Sequence, residues 1–143
     1  MKILIVEDHQ GIRLALEMLL QLEGYDTLSV DRGEVALEVL ENATADLVLL
    51  DLNTNGISAV EFSARLEALA RAKGEPKPPV ILVSGSSKLP LEAVQVGAHS
   101  FFHKPFEVDE LVEHLRQFQP IQGLSRDIEG GQRSSKRESS ASA

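Results

Sequence analysis

Short apolar runs recur along this chain, and each is followed at once by polar or charged residues. Three of the runs are four residues long, at Ile3–Val6, Leu47–Leu50 and Val80–Val83. Runs of this length bounded by turn residues indicate strands buried on both faces, which is typical of a parallel sheet covered by helices. Ligands of such sheets bind at the carboxyl ends of the strands, so the residues after each run are candidates for chemistry.

The residues at these predicted strand ends form a chemically coherent set. In chain order they are Glu7-Asp8, Asp51, Ser84 and, after the shorter apolar pair Phe101-Phe102, His103-Lys104-Pro105. If the strands are parallel neighbours, three carboxylates, a hydroxyl and an ammonium meet at one edge of the sheet. Oxygen ligands suit a hard divalent cation, and a lysine can contact phosphoryl oxygens as a point charge. The set therefore predicts a site for a divalent metal and a phosphoryl group.

Between the strands the apolar spacing changes to that of amphipathic helices, so that strand and helix alternate five times. The predicted strands are Lys2–Val6, Thr27–Val30, Asp46–Leu50, Val80–Val83 and Ser100–His103, and the predicted helices are Gly11–Glu23, Gly33–Asn42, Ser58–Lys73, Pro90–Val96 and Val108–Phe118. Five such units predict an α/β fold with a doubly wound five-stranded parallel sheet, strand order 2-1-3-4-5 and helices on both faces. The switch point of this flavodoxin-like topology lies between the strands that end at Glu7-Asp8 and at Asp51.

Particular apolar positions are expected to face the sheet. They are Ile12, Leu16, Leu19 and Leu20 in the first helix, Val35, Ala36, Val39 and Leu40 in the second, and Val60, Phe62, Leu66 and Leu69 in the third. Gly24 is expected to stop the first helix, and Ser58 to cap the third.

The ordered set of strand-end residues resembles the receiver domain of two-component response regulators. The resemblance extends over about residues 1–118. It implies that Asp51 is the phosphoacceptor and that Mg²⁺ is the cofactor. The metal ligands would be Asp8, Asp51, Glu7 (directly or through water) and the main-chain carbonyl of Asn53.

The same resemblance assigns roles to the other strand-end residues. Lys104 and Ser84 would contact the phosphoryl oxygens, and the Lys104–Pro105 bond would be cis. On phosphorylation Ser84 moves toward the phosphoryl group and Phe101 turns inward, with a core role for Phe101 as the alternative. The face formed by helix four, strand five and helix five would then change its preference for a downstream protein partner.

The chain departs from the family pattern at several positions. Asn55 stands where proline is usual, and Ala59 replaces a usual glycine. The spacing from Ser84 to Lys104 is shorter than in the family, which predicts a shortened or displaced fourth helix. The usual dimer mode through that helix is therefore in question, and a phosphorylation-dependent dimer remains one alternative.

Two other functions compete with a phosphoacceptor receiver. A phosphatase of the haloacid dehalogenase type would use Asp51 as nucleophile, but its second acid would fall at Asn53, and an amide cannot serve as general acid or base. A degenerate receiver would act only as a docking module, although each expected position holds a competent residue. Under the leading hypothesis the protein is not an enzyme, except that it catalyses its own phosphorylation and dephosphorylation. Its phosphodonor would be a histidine kinase or a histidine phosphotransfer protein.

Composition limits the remaining classes. The chain has no cysteine, which is compatible with a reducing cytoplasm, and no apolar stretch long enough for a membrane span. Its net charge is −8, which argues against direct nucleic-acid binding. We expect residues 1–119 to form the receiver domain. Residues 120–143 are rich in Ser, Gly and Arg and are expected to be a disordered tail or a linker stub.

Overall fold

The computed structural model describes residues 1–51 and 56–118 of the chain. It forms two compact units, Met1–Phe106 and Glu107–Ala143, of which the second is described over residues 107–118. The predicted tail at 120–143 lies outside the described residues. Within the described ranges, no helix is both long and apolar enough to cross a membrane.

Strands and helices alternate along the first unit as the sequence predicted. Its elements are β1 (Lys2–Val6), α1 (Gln10–Leu22), β2 (Asp26–Val30), α2 (Gly33–Asn42), β3 (Leu47–Asp51), α3 (Ala59–Lys73), β4 (Val80–Ser84), α4 (Leu89–Val96) and β5 (Ser100–His103). The five strands are parallel in the order β2-β1-β3-β4-β5. The predicted fold class and strand order are confirmed.

Successive side chains of the central strands point to opposite faces of the sheet and form two apolar layers. One layer joins β1, β3 and β4 to α2, α3 and α4, and contains buried residues such as Leu4, Leu50, Leu82 and Phe62. On the opposite face, Ile3, Ile5, Leu47 and Leu49 are also buried, and α1 packs against β1 and β2 through Leu16 and Leu20. Because β3 and β4 are buried along their whole length, their last residues, Asp51 and Ser84, are held in place by close packing.

Most differences from the predicted bounds concern one or two residues at an element's end. Strand β3 includes Asp51 and strand β4 includes Ser84, so both polar residues are themselves hydrogen-bonded into the sheet. Helix α3 begins at Ala59 with Ser58 as its N-cap, whose Oγ accepts the Glu61 N–H at 3.1 Å. The predicted fourth helix was expected to be short, and α4 has eight residues, one turn or more fewer than α1 or α3.

Two predicted core positions are wrong. Ile12 is 41 % exposed and Val60 is 52 % exposed. Both lie in the first turn of their helices, ahead of the first buried residues, Leu16 in α1 and Phe62 in α3. The other apolar positions predicted in α1, α2 and α3 are buried or half-buried.

The second unit begins with a helix. Helix α5 runs from Val108 to Leu115 and is followed by a 3₁₀ turn at Arg116–Phe118, so the predicted helix over 108–118 changes its pitch in its last turn. Its first turn is closed by a capping box, in which the Glu107 and Glu110 side chains each accept the other residue's backbone N–H. The rings of His114 and Phe118 meet edge to face, with centroids 5.7 Å apart.

Candidate functional site

Three carboxylates converge at the carboxyl edge of the central strands. β1 and β3 are neighbours with Val6 opposite Leu50, so the residues that follow, Glu7 and Asp51, emerge side by side. One oxygen each from Glu7, Asp8 and Asp51 lies within 4.8 Å of the others. The edge predicted from the sequence therefore exists, and these three residues meet there.

The three acids differ in burial. Glu7 is 3 % exposed and Asp51 is 4 % exposed, whereas Asp8 is open to solvent. Carboxylates are rarely fully buried without a partner, because desolvation of an unpaired charge is costly. Two buried carboxylates in contact distance of one another require a positive charge, and the protein supplies one.

That charge is the ammonium of Lys104, in the connection that follows β5. Its Nζ donates to Asp51 Oδ2 at 2.8 Å and lies 3.5 Å from Glu7 Oε1. The Lys104 main-chain N–H donates to the Ser84 carbonyl at 2.8 Å, which ties this connection to the end of β4. The Lys104–Pro105 peptide bond is cis, as the resemblance implied.

Burial and the closeness of the charged groups shift the pKa values of both Glu7 and Lys104. Burial and the hydrogen bond with Asp51 raise the pKa of Glu7 from its usual 4.5 to about 7, against a backbone hydrogen bond and the Lys104 charge, which lower it. For Lys104, burial lowers the pKa, but the hydrogen bond with Asp51 and the charges of Asp51 and Glu7 outweigh it, so the pKa lies above its usual value. Near pH 7 Glu7 is therefore about half protonated, whereas an isolated glutamate would be ionised.

The backbone around Glu7 is held by three neighbours. The Glu7 N–H donates to the Val30 carbonyl at 3.0 Å, and the Glu7 carbonyl accepts from the Arg13 guanidinium at 2.9 Å. Its carboxylate also accepts the His9 N–H at 3.1 Å. His9 in turn caps α1, because its Nδ1 accepts the Ile12 N–H at 3.2 Å. His9 has no metal-ligand spacing in the sequence, and only its place just before an amphipathic segment could have indicated this capping role.

Ser84 is fully buried at the end of β4, one strand away from Asp51. Its Oγ accepts the N–H of Ser86 at 3.0 Å. That bond uses a lone pair of the hydroxyl and not its hydrogen, so the hydroxyl keeps its capacity to donate to an anion at this edge.

The two phenylalanines of β5 face opposite ways. Phe101 is 43 % exposed, so the alternative that it belongs to the core is wrong. Phe102 is half-buried, and its ring lies 5.6 Å from that of Phe106. Asn53, the expected fourth metal ligand, and Asn55 lie outside the described residues.

The donor set fits a divalent metal ion. All three groups are carboxylates, which hard cations prefer, and their oxygens lie close enough to share one ion. Burial, and then the neighbouring Asp51, raise the pKa of Glu7, so its charged form is disfavoured without a further positive charge. A cation bound by these oxygens would favour the charged form.

Comparison with known proteins agrees with this geometry. The family profile described as "Response regulator receiver domain" matches residues 3–116. Sporulation initiation phosphotransferase F of Bacillus subtilis is 32% identical over 122 residues, which span 84% of this chain and 94% of that protein. The positive alginate biosynthesis regulatory protein of Pseudomonas aeruginosa is 35% identical over 120 residues, 82% of this chain but 46% of that longer protein.

A solved structure shows the same likeness. The response regulator protein TrrA of Thermotoga maritima, crystallised in complex with Mg²⁺ and BeF, superposes with a TM-score of 0.70 at 30% identity, covering 82% of this chain and 98% of the other. The chain therefore belongs to the response regulator receiver domain family of two-component systems, with an acidic pocket formed by Glu7, Asp8 and Asp51. Receiver domains are signalling modules, so membership in this family disfavours the haloacid dehalogenase alternative.

Proposed function

We propose that Asp51 accepts a phosphoryl group in a Mg²⁺-dependent reaction, and that the phosphodonor is a histidine kinase or a histidine phosphotransfer protein. The observation that carries this proposal is the buried Asp51 carboxylate, held 2.8 Å from Lys104 and grouped with two further acids. The likeness to a receiver crystallised with Mg²⁺ and BeF, and to a protein named a phosphotransferase, supports it.

The reaction transfers one phosphoryl group between two side chains. An oxygen of Asp51 forms a bond to phosphorus while the P–N bond to the donor imidazole breaks, and the imidazole leaves with the electron pair of that bond. Phosphoryl transfer requires positioning and charge stabilisation more than an acid or a base. Asp51 meets the first requirement because its strand is buried on both faces and cannot shift without disturbing the core.

Charge stabilisation would come from the residues around Asp51. Lys104, already bonded to Asp51, would contact the phosphoryl oxygens, and Ser84 would donate its hydroxyl hydrogen to them. Glu7, Asp8 and Asp51 would hold Mg²⁺, together with the main-chain carbonyl of Asn53. When bound, Mg²⁺ supplies positive charge that offsets the developing charge on the phosphoryl oxygens.

Signal output would use a surface on α4 and β5. Leu91, Val94 and Phe101 are apolar and 58 %, 77 % and 43 % exposed, which offers a downstream protein an apolar contact. Movement of Ser84 and Phe101 on phosphorylation would change that surface. A cytoplasmic location belongs to the same proposal and rests on the cysteine-free sequence.

Intact-mass measurement after incubation with acetyl phosphate and Mg²⁺ tests the proposal. We expect an adduct of about 80 Da, the mass that phosphorylation adds, which requires Mg²⁺ and disappears in Asp51→Asn. Asp26→Asn is the matched control, because Asp26 is an exposed aspartate at the start of β2 and should leave the adduct intact. Absence of the adduct in the wild type, together with no beryllofluoride binding, would instead favour a docking module that works without phosphorylation.

A further inference from the structure

Two hydrogen bonds in series cross the connection between β4 and α4. The N–H of Ser86 donates to Ser84 Oγ at 3.0 Å, and the N–H of Lys88 donates to Ser86 Oγ at 3.0 Å. The main-chain carbonyl of Ser86 also accepts the Leu89 N–H at 3.3 Å. Ser86 is thus bonded to the buried end of β4 on one side and to the start of α4 on the other.

The start of α4 depends on Ser86 because the helix lacks its own cap. Its N-cap residue, Lys88, makes no side-chain capping bond, and Pro90 has no N–H to satisfy. The two N–H groups at the start of the helix, those of Lys88 and Leu89, both go to Ser86. Leu89 is itself fully buried in the core, so a shift of this first turn would be transmitted to the packing of α4.

The other end of the series lies at the phosphoryl site. Ser84 is fully buried, its carbonyl accepts the N–H of Lys104, and it ends the strand beside the one that ends at Asp51. If Ser84 Oγ shifts toward an anion on Asp51, the atom that accepts the Ser86 N–H shifts with it. Either Ser86 follows, or its half-buried N–H loses its hydrogen-bond partner, which is unfavourable.

We propose that Ser86 is a positioning residue that couples the phosphoryl site to the first turn of α4. This inference rests on the proposed function, because the displacement begins with the phosphoryl group on Asp51. Phosphorylation displaces Ser84 Oγ, Ser86 follows through its N–H, and the Ser86 hydroxyl and carbonyl carry the N–H groups of Lys88 and Leu89 with it. The exposed apolar residues of α4 then change position with the helix.

Amide NMR of the ¹⁵N-labelled full chain, with and without Mg²⁺ and beryllofluoride, tests the coupling. In the wild type we expect shifts at the site, reported by the Lys104 amide, and in α4, reported by Ala93 and Val94. In Ser86→Ala the Lys104 shift should remain, while the α4 shifts should fall by about half or more, since one of two bonds that hold the helix start is lost.

Matched variants separate coupling from a general loss of structure. Ser86→Thr keeps the hydroxyl acceptor and should restore the α4 shifts, whereas Ser86→Val has nearly the same shape without the hydroxyl and should not. Ser87→Ala removes an exposed neighbouring serine and should behave as the wild type. If Ser86→Val transmits the α4 shifts as fully as Ser86→Thr does, the coupling role is wrong. If the wild type itself shows no beryllofluoride-dependent shift at Lys104, the proposed phosphoacceptor function is what fails.

Discussion

Mg²⁺ affinity should depend on pH through the Glu7 carboxyl. Burial, followed by the hydrogen bond with Asp51, raises the pKa of Glu7 to about 7 in the metal-free protein. A metal ion that uses the Glu7 oxygens must displace the proton bound there, so protons and Mg²⁺ compete for the same group. Affinity is therefore expected to rise with pH and to level off above the pKa.

The size of the effect follows from that pKa. At pH 6 only about one Glu7 in ten is ionised, whereas at pH 8 about nine in ten are, so the apparent Mg²⁺ dissociation constant should be roughly tenfold larger at pH 6. A factor of ten corresponds to about 1.4 kcal/mol of binding free energy.

Stability without metal should change in the opposite direction. The folded-state pKa of Glu7 is about 7, above its usual 4.5, so the stability gained from its proton is complete below pH 4.5 and is lost as the pH rises through 7. A difference of this size corresponds to at most about 3 kcal/mol in the free energy of unfolding. The melting temperature of the metal-free protein should therefore fall between pH 5 and 8, and Mg²⁺ should restore it most at pH 8.

Calorimetric titration with Mg²⁺ at pH 6, 7 and 8 and constant ionic strength measures the competition. Glu7→Gln should bind Mg²⁺ more weakly but with little pH dependence, because its amide has no proton to displace. Glu41→Gln, an exposed change at the end of α2, should keep the wild-type slope. An affinity that is flat from pH 6 to 8 in the wild type, or a tenfold slope that survives in Glu7→Gln, would refute the reasoning.

Three further predictions concern stability and lifetime. Lys73→Met should lower the free energy of unfolding by about 1–2 kcal/mol, because Lys73 Nζ donates to two carbonyls at the end of α2, at 2.6 and 2.9 Å. Urea titration measures this loss. As the control, Arg71→Met breaks an exposed ion pair and should lower the free energy of unfolding by less than about 0.5 kcal/mol. Gly56→Ala should lower the free energy of unfolding by about 1–2 kcal/mol, because Gly56 has φ +100° and an added Cβ would meet the Glu34 carboxylate. If the same loss is measured in the Glu34→Ala background, it comes from the backbone conformation alone. The aspartyl phosphate should lose radiolabel quickly, because a Cβ built on Gly85 would meet open space among the described residues, so water has a path to this side of the site. Gly85→Leu should slow the loss, and persistence of wild-type label for many hours would contradict the idea.

Local patterns were sufficient for the strands and for most of the helices. The bounds of β1, α2 and β5 are those that the sequence predicted, and the other first-unit elements differ from their predicted bounds by one residue at one or both ends. The reason is that an apolar run of four residues between turn formers is too short for a buried helix and fits a strand covered on both faces. The positions of Asp51 and Ser84 at strand ends follow from the same pattern.

Burial at helix ends could not be predicted in this way. Ile12 and Val60 keep the apolar spacing of their helices, yet both are exposed. Periodicity specifies which side of a helix a residue lies on. The elements that pack against that side determine which of its residues are buried.

The sequence by itself determined the fold class, the strand order and the identity of the three acids, the serine and the lysine at one edge of the sheet. Only the tertiary structure decided how these groups interact. Asp51 and Lys104 are separated by 53 positions, and their 2.8 Å contact is made by packing. The raised pKa of Glu7 and the series of bonds from Ser84 through Ser86 likewise depend on burial and distance. Both quantities arise from elements brought together by the fold, which no local spacing records.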